Sequence, residues 1–315
     1  MKDKVIAVVM GGPSAEREVS LRTGKAISKA LQEKGYKIVD IDLVPEKFAE
    51  QLKEAQAEVV FNAIHGLYGE DGKIQGFLDM LGIPYTGSDV EACAISMDKH
   101  VTKQLFSLAS IPSPKGIFLD KNGDMNNCLH LVKELNLPII VKPNSQGSTI
   151  GVTVVKKLEE VEEALKLAFE YSDAVLIEEF IQGKEYTVAV MLDKDGIRVF
   201  PAIEIVPHSG AYDYKSKYTV GATTYICPAE LDDKLKEQLK EYAYKAFSLL
   251  KCQGVARVDY MIDSKGNVFV LEINTVPGMT ETSLVPKAAL VEGIDFGELC
   301  ERILFSAESK MVNCS

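Results

Sequence analysis

Two stretches of this 315-residue chain place Asp, Lys and Gly between β-rich runs: EYTVAVML-DKDG-IRVFPAIEIV (185–206) and VARVDYMI-DSKG-NVFVLEIN (255–274). Each predicts an antiparallel hairpin, because a short polar turn reverses the chain between strand-forming residues. Residues 1 to about 92 read differently. VIAVVM (5–10) and VVFNAI (59–64) are continuous apolar runs, as in parallel strands covered on both faces, and a helical pattern runs through LRTGKAISKALQEKG between them. A chain with both patterns is expected to be a mixed α/β and α+β protein. At ~100–200 residues per domain it holds two or three domains, with a cleft between them.

The middle of the chain supplies further strands. A helix-like stretch, ACAISMDKHVTKQLFSLASI (92–111), leads through the Pro-containing linker IPSPKG into LPIIVKP (137–143), the polar loop NSQGSTIG (144–151), GVTVVKK (151–157), a helix LEEVEEALKLAFEYS (158–172) and AVLIEEF (174–180). The strands on either side of the polar loop are expected to pair as a hairpin. PHSGAYDYKSKYTVGATT (207–224) has little apolar periodicity, and a loop that long inside a compact chain is a functional lid or disordered.

Charge and cysteine usage exclude several classes. Lys+Arg number 35 and Asp+Glu 46, leaving −11, so no net basic face is available for nucleic acid. No apolar run nears the ~18 residues that span a bilayer, which argues against a membrane partner. MKDKVIAVVM is read as a first strand and not as a targeting segment. The cysteines (93, 128, 227, 252, 300, 314) are scattered without a C-x-x-C pair, which points to reduced thiols in the cytoplasm.

Four constellations could carry chemistry. The loop NSQGSTIG follows a strand containing Lys142; small residues let backbone N–H groups approach phosphate oxygens, hydroxyls add donors and the lysine adds charge, although Gly-rich turns between strands are often only turns. In the second hairpin, Arg257 and Asp259 share one strand face, and Glu272 and Asn274 share one face of the next. A four-residue loop (Ser264 to Asn267) pairs Asp263 with Val268, hence Asp259 with Glu272 and Arg257 with Asn274. Two carboxylates ~5 Å apart repel without a cation between them, and hard oxygen donors suit Mg²⁺. A five-residue loop scatters the four groups over both faces, and a solvated sheet face with a rim ion pair remains open. Glu16, in GGPSAEREVS, stands where a strand gives way to a helix; it either favours the helix N-terminus electrostatically or holds a substrate ammonium. AIHGLYGEDG (63–72) puts His65 in a glycine-rich loop at the carboxyl end of a strand, where open α/β sheets bind ligands.

Taken together, GGPSAEREVSLRTG, IHGLYGEDGKIQG, PYTGSD, SMDK, IIVKPNSQGSTIGV, LIEEFIQGKEYTV, YDYKSKY, GVARVDYM and LEINTVPGMTETSL resemble, in order, the D-alanine–D-alanine ligases of the ATP-grasp superfamily. The resemblance covers nearly the whole chain. It implies an ATP-grasp fold in three parts: an N-terminal parallel α/β domain (1–96, first D-alanine site), a central β-rich lid domain (97–182), and a C-terminal antiparallel-sheet domain (183–315, Mg and second D-alanine site). The implied reaction phosphorylates one D-alanine with ATP and lets the amine of a second attack the acylphosphate, giving D-Ala-D-Ala for peptidoglycan precursors.

By position, the resemblance gives Lys99 and Lys142 to the nucleotide phosphates, with the loop around Ser148 closing over them. It gives Glu178 and the backbone of Ile181 to the adenine, and Glu185 to the ribose. Asp259, Glu272 and Asn274 match the ligands of two Mg²⁺ ions, with Mn²⁺ able to substitute. Arg257 and the backbone of Gly278 match the groups that stabilise the tetrahedral intermediate. Glu16 matches the holder of the first ammonium, with His65 near it, and Lys217, Ser283 and Leu284 match the second substrate's site. Tyr218 is implied in a network with Ser148 and Glu16; relatives that make the D-lactate ester tend to carry phenylalanine there, so tyrosine points to a dipeptide. A cytoplasmic homodimer is also implied.

Overall fold

The computed structural model describes residues 1–147, 149–208, 219 and 221–311. Its first sheet is parallel, in the order β2-β1-β3, with β1 Val5–Met10 between β2 Lys37–Asp42 and β3 Val59–Asn62. Parity explains the uninterrupted apolar run of β1. Ile6, Val8 and Met10 pack with Ile27 and Leu31 of helix α1 (Arg17–Glu33), while Ala7 and Val9 pack with Phe48 and Leu52 of α2 (Phe48–Glu54) and Ile74 and Leu78 of α3 (Lys73–Leu81) on the other face. The edge strand β2, KIVDID, is half-exposed and alternating, and the continuous-run criterion passes over it.

β3 stops two residues before the end of the run VVFNAI. Asn62 Oδ1 accepts the Ile64 N–H at 3.1 Å and Asn62 Nδ2 donates to Gly69 O at 2.9 Å, so the asparagine turns the chain out of the sheet. The returning loop is tight: a Cβ on Gly69 would lie 2.0 Å from Ile64 O and 2.5 Å from Ile64 Cβ. Gly69→Ala is expected to cost ~1–3 kcal/mol, since backbone has to shift to admit the methyl group. Urea unfolding of the variant measures it, and a midpoint equal to wild type would show that the loop yields freely.

Between the first and second sheets, the expected single helix at 92–111 is two. α4 spans Val90–Met97 and α5 spans Lys99–Leu108, broken at Asp98, whose backbone is extended (φ −84, ψ 96) and whose side chain caps α5 through the Val101 N–H at 2.9 Å. An N-capping aspartate competes with continuation of the helix. The break puts Lys99 at the first position of α5.

The second sheet is antiparallel, in the order β4-β7-β5-β6, from β4 Gly116–Asp120, β5 Ile139–Pro143, β6 Thr153–Val155 and β7 Ala174–Glu179. The helix Val161–Phe169 covers one face through Val161, Ala164, Leu165 and Ala168. The third sheet, also antiparallel, runs β11-β10-β8-β12-β13, with β9 on β8. It comprises β8 Gly183–Asp193, β9 Gly196–Val199, β10 Ile203–Pro207, β11 Thr223–Ile226, β12 Val255–Asp263 and β13 Val268–Asn274. Of the expected lid at 207–224, Pro207 ends β10 and pairs with Thr223 of β11, while residues 209–218 and 220 lie outside the described residues.

The β12–β13 hairpin corrects one expectation and keeps its consequence. Next to the turn the register is Ile262↔Val268, so Asp263 does not pair with Val268. Gly266 adopts φ +82 and its N–H bonds Asp263 O at 3.0 Å, closing the turn with a left-handed residue. A bulge at Leu271 then restores the offset, giving Asp259↔Glu272 and Arg257↔Asn274. Because of this bulge the core side of β13 is Val268, Val270 and Ile273, packed with Tyr186, Val258, Tyr260 and Phe247, and not Phe269, Leu271 and Ile273.

Candidate active site

Lys99 ties the second and third sheets together. Its Nζ donates to Gln146 O, in the loop after β5, at 2.6 Å and lies 3.3 Å from Glu272 Oε2 on β13. The Asn144 carboxamide accepts the His100 N–H at 2.9 Å, so the polar loop rests on the first turn of α5. Lys142, on β5, reaches Glu178 Oε2 on β7 at 2.6 Å. Ile181 lies on the connection into β8 and Glu185 is the third residue of that strand, both half-buried.

Glu178, expected to read an adenine edge, has both carboxylate oxygens occupied. A second lysine, Lys103, places Nζ 2.5 Å from Oε1, in charge contact although not aligned for a hydrogen bond. Burial pushes the Glu178 carboxyl up, but the Lys142 and Lys103 ammoniums outweigh it and hold the group below its ordinary range. Sequence reasoning missed Lys103. Its one available signal is the spacing of four from Lys99, which puts both on the same face of α5.

On the third sheet, Arg257 grips Asp259 bidentately, Nε to Oδ1 and Nη2 to Oδ2 at 2.8 Å each, and Thr187 Oγ1 donates to Asp259 Oδ1 at 2.6 Å. Glu272 stands beside them with Lys99, and Asn274 Oδ1 accepts the Val276 N–H at 3.0 Å. Among the described residues no group of three His, Cys, Asp or Glu side chains converges as a metal cage. The donor set here is two carboxylates and one amide oxygen.

The loop after β13 joins this face to the first sheet. His65 is buried, with Nδ1 2.8 Å from Val276 O and Nε2 3.0 Å from Thr23 Oγ1. A carbonyl only accepts, so Nδ1 carries a proton. Burial lowers the imidazole's basicity, but Glu70, 3.9 Å away, and Glu16 raise it above its ordinary value. Glu16 precedes α1, and its Oε2 lies where Cβ atoms on Gly66 and Gly147 would stand at 2.9 and 3.1 Å. That carboxylate therefore sits between the His65 loop and the polar loop after β5. Past β13, the Ser283 hydroxyl accepts the Thr280 N–H at 3.0 Å and stands 3.3 Å from where Gly278 would carry a Cβ. Ser283 and Leu284 open the helix Leu284–Val291, whose N-terminus favours an anion. Ser148, Lys217 and Tyr218 lie outside the described residues.

An antiparallel sheet carrying the buried Lys142, joined through residues 180–182 to a second antiparallel sheet that presents Arg257, Asp259, Glu272 and Asn274, is the arrangement of an ATP-grasp enzyme. Models described as D-ala D-ala ligase N-terminus and C-terminus match residues 40–88 and 105–305. D-alanine–D-alanine ligases of Pelotomaculum thermopropionicum and Syntrophotalea carbinolica are 44% and 47% identical, each aligned over 98% of this chain and 97% of theirs. Among solved structures, a Bacillus anthracis D-alanine–D-alanine ligase complexed with ATP superimposes with TM-score 0.85 at 34% identity, covering 98% of this chain and 99% of that one. The VanG D-Ala:D-Ser ligase of Enterococcus faecalis does so with TM-score 0.83 at 29% identity, over 96% and 99%. The chain belongs to the D-alanine–D-alanine ligase family.

Proposed function

We propose that this enzyme joins two D-alanines at the expense of ATP, through a D-alanyl phosphate, and so supplies D-Ala-D-Ala to peptidoglycan precursors. Residues 1–96 hold the first D-alanine, 97–182 form the half that closes over the nucleotide, and 183–315 hold the metal and second-substrate sites. Glu16 takes the ammonium of the first D-alanine, with His65 fixing the loop beside it. Lys99 and Lys142 draw the polyphosphate in, Glu178 and the Ile181 backbone border the adenine, and Glu185 takes the ribose. The carboxylate of the first D-alanine attacks the γ-phosphorus, and ADP leaves. The amine of the second then attacks the acyl carbon, and inorganic phosphate leaves from the tetrahedral intermediate. Arg257 and the Gly278 N–H, placed in advance, meet the oxyanion of that intermediate. Ser283, Leu284 and Lys217 hold the second carboxylate.

The donors of Asp259, Glu272 and Asn274 suit Mg²⁺, being hard oxygens whose negative charge is at present met by Arg257 and Lys99. Bound there, two Mg²⁺ or Mn²⁺ ions would neutralise charge on the polyphosphate. The setting we assign is a cytoplasmic homodimer; among the described residues no helix is long and apolar enough to cross a membrane.

The observation that carries this reading is the alignment, over nearly the whole chain, with ligases of that name, together with the Asp259–Glu272 and Arg257–Asn274 pairing. It is tested by ADP release with D-alanine, L-alanine, D-serine and D-lactate supplied separately. D-alanine should support turnover and L-alanine should not; ADP release indifferent to D-alanine refutes the reading. The likeness to a D-Ala:D-Ser ligase keeps a mixed dipeptide as the second reading. Mass analysis of products from equimolar D-alanine and D-serine separates the two, and a mainly mixed dipeptide would favour the second.

A further inference from the structure

Lys103 takes no part in the chemistry just assigned, yet it is one of the least exposed cations in the molecule, with a side chain 10% exposed. It projects from the same face of α5 as Lys99, into the gap between that helix and the second sheet. There it meets Glu178, whose side chain is 1% exposed and which sits between β4 and β5, across from Gly116 and Ile140. The fit is close: a Cβ on Gly116 would stand 2.8 Å from Glu178 Cγ, so the carboxylate has little room to follow a departing partner. Two ammoniums thus face one carboxylate, leaving a surplus positive charge in the interior. Such a surplus is costly, and it shows in Lys103, which burial and the like charge of Lys142 push down to about 8 against the pull of Glu178 and, less strongly, of Glu272, itself paired with Lys99.

A cost of this kind calls for a use. Lys142 is salt-bridged at 2.6 Å, and a lysine held so closely by a buried carboxylate is poorly placed to serve a phosphate. If Lys142 were the only partner of Glu178, turning it toward a phosphate would strip a buried carboxylate of its counter-charge. With Lys103 in place, the carboxylate stays neutralised when Lys142 turns away.

We propose that Lys103 is a positioning residue of the nucleotide site: it stays on Glu178 as a fixed counter-ion, so that Lys142 can exchange Glu178 for a polyphosphate. This rests on the reading of Lys142 as a phosphate lysine. Lys103 itself touches neither nucleotide nor amino acid.

The test is calorimetric titration of the Mg²⁺ complex of a non-hydrolysable ATP analogue into wild type, K103M, K103R, E178Q and K103M/E178Q, with the melting temperature of each variant recorded. K103M is expected to bind about tenfold or more weakly, and K103R within about threefold of wild type. K103M/E178Q is compared with E178Q, since Glu178 also borders the adenine, and is expected to bind within about threefold of it, because Lys142 then has no carboxylate to leave. In turnover, K103M should raise KM for ATP while kcat and KM for D-alanine change little. Binding by K103M within about threefold of wild type overturns the proposal. So does a K103M/E178Q variant that binds about tenfold or more weakly than E178Q, the pattern of lost packing. Should K103M not fold, K103Q and K103Q/E178Q make the same comparison. A wild-type protein that does not bind the analogue overturns the nucleotide reading and this inference together, whereas the other two failures leave that reading standing.

Discussion

Arg257→Met is expected to lower kcat about 10²–10³-fold while leaving KM for ATP within a few-fold, as loss of a donor aimed at a developing oxyanion does. Arg257 stands two residues before Asp259 on β12, so both side chains leave the same face, and Asp259 grips the guanidinium through two bonds of 2.8 Å. Thr187, opposite Asp259 on β8, donates a further bond to Oδ1, the oxygen that also accepts Arg257 Nε. The guanidinium is therefore aimed before substrate arrives, which is the condition under which a donor contributes most to a transition state. A bidentate grip also predicts that lysine is a poor substitute, since one ammonium cannot fill the fork. Arg257→Lys should recover less than a tenth of the lost rate, by roughly the same reasoning. Single-turnover measurement of dipeptide formation decides the matter. An Arg257→Met enzyme that ligates at the wild-type rate removes Arg257 from the chemistry and leaves it as the structural partner of Asp259.

That face shows how far a sequence can be read and where reading stops. The pairing of Asp259 with Glu272 and of Arg257 with Asn274 follows from alternation along two strands, and the structure has it. The path to it is different. The turn is one residue shorter in register than alternation assumes, and the extra residue at the Leu271 bulge takes up the difference. Two offsets that cancel leave no trace in residue pattern, since Val268 and Leu271 are both apolar and either serves a core face. The Asp98 break was hidden for a related reason: apolar residues keep helical spacing from 92 to 108, and only the aspartate's ability to cap marks the end of one helix and the start of another.

Glu178 and Lys103 mark a second limit. Family resemblance places Glu178 at the nucleotide, but the lysines around it come from β5 and from α5, elements distant in the chain. Their meeting depends on the β5–β7 register and on how α5 lies against the sheet. A helix lysine is by default solvated, so nothing local sets Lys103 apart. His65 behaves likewise. Its loop is legible as a ligand-facing turn, whereas its bonds to Thr23 and Val276 join three separate regions of the chain. Ser148, Lys217 and Tyr218, on which the expected closure over the phosphates and the choice of second substrate depend, fall outside the described residues and rest on the resemblance alone.

Glu272→Gln is expected to raise the Mg²⁺ concentration for half-maximal activity about 10²-fold or more. Replacing groups that only support a metal ligand already costs ~10–100-fold in affinity, and Glu272 is proposed as a ligand itself. The amide keeps the shape and one oxygen donor but loses the charge that a hard divalent cation seeks. Glu272 has a second partner, Lys99 at 3.3 Å, so the substitution also frees an ammonium that faces the polar loop. These two roles move different quantities. If Glu272 served only as the counter-ion of Lys99, the variant would change KM for ATP at saturating metal and leave the Mg²⁺ half-saturation where it was. If it serves the metal, the half-saturation shifts and activity returns at high Mg²⁺. Asp259→Asn should shift the metal requirement in the same direction, and it also loosens Arg257, so its kcat is not expected to recover at any Mg²⁺ concentration. Titrating Mg²⁺ at several fixed ATP concentrations for wild type and both variants separates these cases. A Glu272→Gln enzyme with unchanged Mg²⁺ half-saturation would place the metal elsewhere and leave the paired carboxylates of β12 and β13 as structural partners of groups such as Arg257 and Lys99.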